Sequence, residues 1–443
     1  MLRPNSDRTL LKTHEVRGGL TFALPSSFRP EEFLTAAGLM GRRDDARYFV
    51  STVLTKTAHG DVDGRGFVRL YAKYLRNIMY QATYNDVIDS LLEGGVVERR
   101  GYKAGKHSFG YRLTARFASD RHVRVPATDL RLIKRWTIFA EQKKREREAE
   151  WLPVHHALAE QQRRLRIHGD QARRWLSLNT DANKFDTQGV LVRDIELGRW
   201  RFNVQTYERV TNNISNLKRE LRRFLHVDGE PLGQVDLKCC QYALIPKLLP
   251  SSTAPCSQRE KGERGTGVSN YDASGQPPYP YDASALNPAD RDVERYRTLA
   301  GNGMLYDVLL AEVRRRGEDI DRQELKHQLM RDVLAKRGNY RKHVVEQVFD
   351  EFFPTLRKFI RAYNHDGKQH ENLSRQLQRE EARLVIGTVA DDLVTQFPGV
   401  FFLTLHDAIY TTVEHLPKVE AAFHRGFERI GLAMKFETLL PET

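Results

Sequence analysis

Within residues 46–58 the apolar positions Phe49, Val50, Val53 and Leu54 recur at helical spacing, and residues 70–78 predict a second short helix. A third opens at Thr83-Tyr84-Asn85-Asp86 in the form of a capping box, turns Val87, Ile88, Leu91 and Leu92 inward, and stops at Gly94-Gly95. Beyond the glycines, residues 96–99 and 111–113 can pair as strands across a basic tip, residues 100–107. Residues 129–151 predict a charged helix stopped by Pro153, with a second basic helical stretch at Gln161-Gln162-Arg163-Arg164. Further on, Gln234-Val235-Asp236-Leu237 predicts a short strand running into an apolar helix, and residues 401–412 predict two strands that meet at His406-Asp407 with no Gly or Pro between them. A carboxylate set among buried strands is costly unless it binds a metal or is hydrogen-bonded.

The order of three short helices and a basic hairpin resembles a winged helix-turn-helix. That resemblance implies a recognition helix starting at Thr83 and a wing whose Lys103, Lys106 and His107 touch duplex DNA, although the same fold also serves protein contact. The expected division is an N-terminal arm at 1–40, where periodicity is lacking, a winged helix at 41–125, a basic helical connector at 126–165, and a larger domain at 166–443. A Ser-, Gly-, Pro- and Asp-rich stretch at about 251–292, with Tyr-Asp-Ala-Ser at both 271 and 281, reads as a surface insertion in that last domain.

At 443 residues and 40% hydrophobic content the chain can build two or three cores. A formal charge of +13 points to a polyanionic partner, most often nucleic acid. Cys239, Cys240 and Cys256 fit neither zinc spacing nor a disulfide framework and are expected as reduced thiols. With no run of 18 apolar residues and no leader-like start, the expectation is a cytoplasmic protein without membrane contact. No Gly-rich loop ends in Gly-Lys-Ser/Thr, which argues against an ATP-driven helicase.

Three features carry chemistry. Asp236 stands where a strand meets a helix. Arg322, Lys326, Met330 and Leu334 share one helical face, two cations leading into two apolar positions, a stripe suited to a polyphosphate followed by a base and sugar. The third is His406-Asp407. Each has a plain alternative: a helix-capping Asp, a solvated basic face, a polar hairpin tip.

In this order the three features resemble the motifs shared by family A DNA polymerases and single-subunit, phage-type RNA polymerases, over roughly residues 200–440. Residues 386–393 look like the helix ahead of the His-Asp hairpin in those enzymes, and residues 206–223 like the segment that contacts the primer–template duplex. The whole is similar to divergent polymerase-like proteins of phages and mobile elements. The resemblance implies an α+β fold with a right-hand palm and helix-rich fingers. It implies that Asp236 and Asp407 hold two divalent ions, Mg²⁺ or Mn²⁺, and that Arg322 and Lys326 bind a nucleoside triphosphate, Lys326 also protonating pyrophosphate. Met330, Leu334 and Gln241 would line the nucleotide site, and His406, Arg209, Arg222 and Gln378 would face a DNA primer–template.

The chain departs from the pattern in places. Ala408 follows the second Asp where family A enzymes carry an acid, Gln241 stands where they carry a sugar-excluding Glu, and Met330 and Leu334 replace aromatic residues, which leaves the choice between deoxy- and ribonucleotides open. Asp194-Ile195-Glu196 has the form of a nuclease motif but lies too close to Asp236 for a nuclease fold and is taken as a strand end. The leading expectation is a template-dependent nucleotidyltransferase, a DNA polymerase without a proofreading nuclease. The rivals are a non-enzymatic DNA-binding replication initiator or regulator with a relic palm, and a nuclease using Asp194, Glu196 and Asp236.

Overall fold

The computed structural model describes residues 20–102, 108–180, 182–249, 291–338 and 343–441. The chain begins with β1 (Thr21–Pro25) and α1 (Pro30–Leu34), followed by α2 (Arg43–Ala58), β2 (Val68–Arg69), α3 (Ala72–Ile78), α4 (Tyr84–Glu93), β3 (Val97–Arg100) and β4 (Gly110–Leu113). A turn of helix, α5 (Ala115–Ala118), then leads to β5 (His122–Pro126) and α6 (Leu130–Glu148). β4 is the middle strand between β2 and β3, with Val97 opposite Leu113. α2 lies across β1, β4 and α4, burying Phe49, Val50 and Val53 on its inner face.

Three expectations change here. Residues 20–40 are not an arm: β1 pairs antiparallel with β5, and Phe22, Leu24, Phe28 and Leu34 are buried in the same core as α2 and α4. The partner strand lies about a hundred residues downstream, so local periodicity carries no sign of it. The connector divides in the same way, because Leu132 and Phe139 of α6 join this first core, and Arg135 Nε donates to the Ile78 carbonyl over 2.7 Å. The capping box at Thr83 does not form. Thr83 has φ −124° and ψ 7°, outside the extended conformation a cap needs, and its buried hydroxyl has no partner among the described residues. Lys103, Lys106 and His107 lie outside the described residues, as do residues 1–19 and 250–290.

The second half continues through α7 (Pro153–Gln161), β6 (Leu165–Ile167), α8 (Gly169–Asn179), α9 (Ala182–Glu196), β7 (Phe202–Val204), β8 (Val210–Asn212), β9 (Leu225–Val227), β10 (Glu230–Leu237) and α10 (Cys240–Leu244). Then come α11 (Arg291–Gly301), α12 (Leu305–Arg315), α13 (Arg322–Gln328), α14 (Val344–Phe352), α15 (Pro354–Tyr363), α16 (Asn372–Leu384) and α17 (Asp391–Gln396), followed by β11 (Phe402–Leu405), β12 (Ala408–Thr412), α18 (Leu416–Ile430) and β13 (Phe436–Leu439). α11 starts at Arg291, so the last two positions of the expected insertion are helical. Asp194 and Glu196 end helix α9 and not a strand. Asp194 is fully buried, taking Arg124 at 2.5 Å and His59 at 3.4 Å, so it ties α9 to β5 and to the end of α2. That engagement removes it from any nuclease cluster.

The main sheet is antiparallel, in the order β11-β12-β10-β9-β6, with β13 also on β10. β10 alternates cleanly. Val235 and Leu237 point into the large helical core with Phe402 and Ile409, while Asp236 stands on the other face beside Ala408. Gly233 lets neighbours crowd in, since a Cβ there would meet a Leu416 methyl at 2.9 Å and the Leu439 carbonyl at 3.0 Å. Among the described residues, no helix is long and apolar enough to cross a membrane.

Candidate active site

The predicted strand, stripe and hairpin converge on one open cavity of about 430 Å³, lined by Asp236, Asp407, Arg322, Lys326, Met330, Gln241, Tyr306 and residues 237–240. Asp236 comes from the end of β10. Asp407 comes from the two-residue turn between β11 and β12, in which His406 takes the left-handed conformation (φ 54°) in place of the glycine such a turn would usually employ. The Leu237 N–H donates to the Asp407 carbonyl over 3.2 Å.

The electrostatics are those of a site short of positive charge. Burial, and then the neighbouring Asp407, pushes Asp236 up to about 6. Burial, and then the charge of Glu381, does the same to Asp407, also to about 6. Lys326 pulls both the other way. His406 reaches solvent and is not among the cavity residues, yet the protein packed around it, with Arg209 and Arg222, lowers it to about 4, so it is neutral at neutral pH.

Tyr306 organises the cationic wall. The Arg322 guanidinium lies 5.5 Å and the Lys326 ammonium 5.1 Å from its ring centroid, and Arg322 also pairs with Asp307 of α12. Met330 reaches the cavity, but Leu334 does not: it is fully buried in the helical core. The cause is a π-turn over Leu329–Leu334, in which the Ala335 N–H bonds the Met330 carbonyl five residues back, so the stripe rotates off its face after Met330.

Gln241 does line the cavity. Its amide donates to Glu381 over 3.2 Å, and Arg209 Nη2 donates to the other oxygen of the same carboxylate over 2.5 Å. Arg222 donates to the Tyr410 hydroxyl over 3.3 Å and stands near His406. Gln378 is half-buried on α16 and is not among the cavity residues. Thr83 and the helix it precedes belong to the separate N-terminal core.

Sequence reasoning missed Tyr306 and Glu381. Glu381 lies in an Arg/Glu-rich helix that reads as solvated, yet it falls four residues after Leu377 and three before Leu384, both buried, and is itself 2% exposed. That placement on the apolar stripe was its available signal. Cys239 and Cys240 are buried free thiols, and burial raises both above the usual thiol range.

Asp236 and Asp407 offer hard carboxylate oxygens of the kind Mg²⁺ and Mn²⁺ prefer. Among the described residues no three His, Cys, Asp or Glu stand together as a preformed metal cage. The pair therefore fits ions that keep waters or substrate oxygens as their remaining ligands, as Mg²⁺ does.

No family model matches this chain, and no curated protein matches it in sequence. Among solved structures it is similar to the polymerase domain of Pol1 from M. smegmatis in complex with DNA primer–template and dNTP, at 12% identity and a TM-score of 0.31. The match covers 61% of this chain and 55% of that one, so the chain spans about half of the structure it resembles, and a likeness at this level assigns no activity.

Proposed function

We propose that the chain is a template-directed nucleotidyltransferase, a DNA polymerase of the family A kind without a proofreading nuclease, from a phage or mobile element. One observation carries the reading: a carboxylate at the end of β10 and another in the β11–β12 turn beside it line a single cavity together with the Arg/Lys helix. Asp236 and Asp407 would hold two Mg²⁺ or Mn²⁺ ions, which when bound supply the charge that activates an attacking hydroxyl and stabilises a pyrophosphate leaving group. Arg322 and Lys326 bind the triphosphate, and Lys326 is placed to give its proton to the departing pyrophosphate. The hydrophobic end of that wall, Met330, packs the nucleoside. Neutral His406, with Arg209 and Arg222, meets the primer end, and Gln378 contacts the duplex further along α16. The N-terminal unit acts as a winged helix on duplex DNA, through the helix after Thr83 and a wing bearing Lys103, Lys106 and His107.

The test is primer extension on a defined template, with deoxy- and ribonucleotides supplied separately in Mg²⁺ or Mn²⁺. Template-dependent incorporation is expected. Its absence under all four conditions overturns the reading.

A further inference from the structure

Glu381 is an acid with almost no water to face: burial pushes its carboxyl up, and Arg209 and Gln241 pull it back toward the ionised form. It is 2% exposed, and its two oxygens are divided between two elements: one accepts from Arg209, in the turn before β8, and the other from the amide of Gln241 on α10. In this contact the Gln241 amide nitrogen donates and the carboxyl oxygen accepts, which fixes which end of the amide points where. The NH₂ is committed to Glu381. The carbonyl oxygen is then the free polar end of a side chain that lines the cavity.

We propose that Glu381 is a positioning residue, holding Gln241 so that its carbonyl faces the cavity as an acceptor for a donor group on the bound nucleotide. The inference rests on the nucleotidyltransferase reading. Phosphates at neutral pH have little to donate, so the matching group is a sugar hydroxyl or a base N–H. The cavity then has two chemically distinct ends: Arg322 and Lys326 for negative oxygen, and Gln241 for a neutral donor. Arg209 completes the unit. Its charge favours the ionised form of Glu381 against the effect of burial, and without it the Gln241 amide could turn either way.

The test is a double-mutant cycle on the full chain with Gln241→Ala, Glu381→Gln and the pair, read as KM and kcat for triphosphate incorporation on a primer–template. Gln241→Ala, at the cavity rim, is expected to raise the nucleotide KM about tenfold, or about 1.4 kcal/mol, with a smaller change in kcat. Glu381→Gln should do much the same, and the double variant no more than the larger single one, because both remove one acceptor. A purely structural Glu381 would give effects that multiply. Matched ribo- and 2′-deoxynucleotides separate the sources. A KM effect confined to ribonucleotides places the donor on the 2′-hydroxyl, an effect on both sugars that varies with the base places it on the base, and one uniform across bases places it on the 3′-hydroxyl. An unchanged KM in Gln241→Ala, or multiplying effects, overturns the proposal while leaving the polymerase reading intact. A wild-type chain that neither binds nor incorporates triphosphates overturns both.

Discussion

The backbone N–H of Leu237 donates to the carbonyl of Asp407 over 3.2 Å, so the turn that carries one carboxylate is tied to the strand that carries the other. Side-chain substitutions at Asp236 or Asp407 leave this backbone tie in place. Asp236→Asn or Asp407→Asn should cut incorporation by at least about a thousandfold, about 4 kcal/mol of transition-state stabilisation, while duplex affinity in a gel-shift assay stays within about threefold, because positioning is carried by cations elsewhere. Near-full activity in either variant contradicts the assignment.

The same two carboxyls give stability a definite pH dependence. Both are held up to about 6 in the folded chain against an ordinary 3.8, so the folded state binds protons more tightly than the unfolded one. With divalent ions chelated, stability should be higher below about pH 4, fall as the pH rises through about 6, and stay lower above it. Asn at either position should raise the melting temperature at pH 7. Adding Mg²⁺ at pH 7 should stabilise the wild-type chain, by about 2.7 kcal/mol at a hundredfold excess over its Kd, and Asp407→Asn should abolish most of that gain. Thermal melts across pH 3.5 to 8, with and without the ion, check all three.

Packing in the N-terminal half predicts where a stable fragment ends. Residues 20–148 hold every buried residue of the first core except Val190 of α9, and should fold alone and bind duplex DNA with a steep salt dependence. A fragment of 41–125 should not fold, since it lacks Phe22, Leu24, Phe28, Leu34, Leu132 and Phe139, each worth roughly 1.5 to 3 kcal/mol when buried. Circular dichroism and DNA titrations on the two fragments decide it. A folded 20–148 without salt-sensitive affinity would assign this unit to protein contact.

Selectivity for the sugar should be modest. Gln241 is neutral and half-buried where the resembling DNA polymerases carry a Glu, and Leu334 is turned into the core and cannot pack a nucleotide. The ratio of kcat/KM for a matched deoxy and ribo pair on one template is expected below roughly ten-thousandfold, about 5.5 kcal/mol. A larger ratio would reveal a gate elsewhere.

The features legible in the sequence were those whose signals are local. The alternation through Val235 and Leu237, the two runs around His406-Asp407 and the four-residue spacing of Arg322, Lys326 and Met330 all follow from side-chain periodicity, and all three meet in one cavity. Leu334 was misplaced because a π-turn has no signature in a 3.6-residue pattern. Residues 20–40 were misjudged because their partner strand is β5, far along the chain. Asp194 read as a strand end because its burial depends on Arg124 and His59, neither of them near it in sequence. Glu381 was hidden by its own helix, whose arginines and glutamates look solvated until Leu377 and Leu384 fix which side turns inward.

β10 is laced along both edges at the point where Asp236 stands, to β12 through Ala408 and to β13 through Glu437. Shifting it would break two ladders at once. α13 is anchored to the core by Leu325, but its two cavity-facing cations are held by side chains alone, an exposed ion pair and an aromatic face, and the chain that follows it winds wide into the π-turn. A shift of Asp236 would therefore break backbone ladders on both sides, whereas a shift of Arg322 or Lys326 would break side-chain contacts alone.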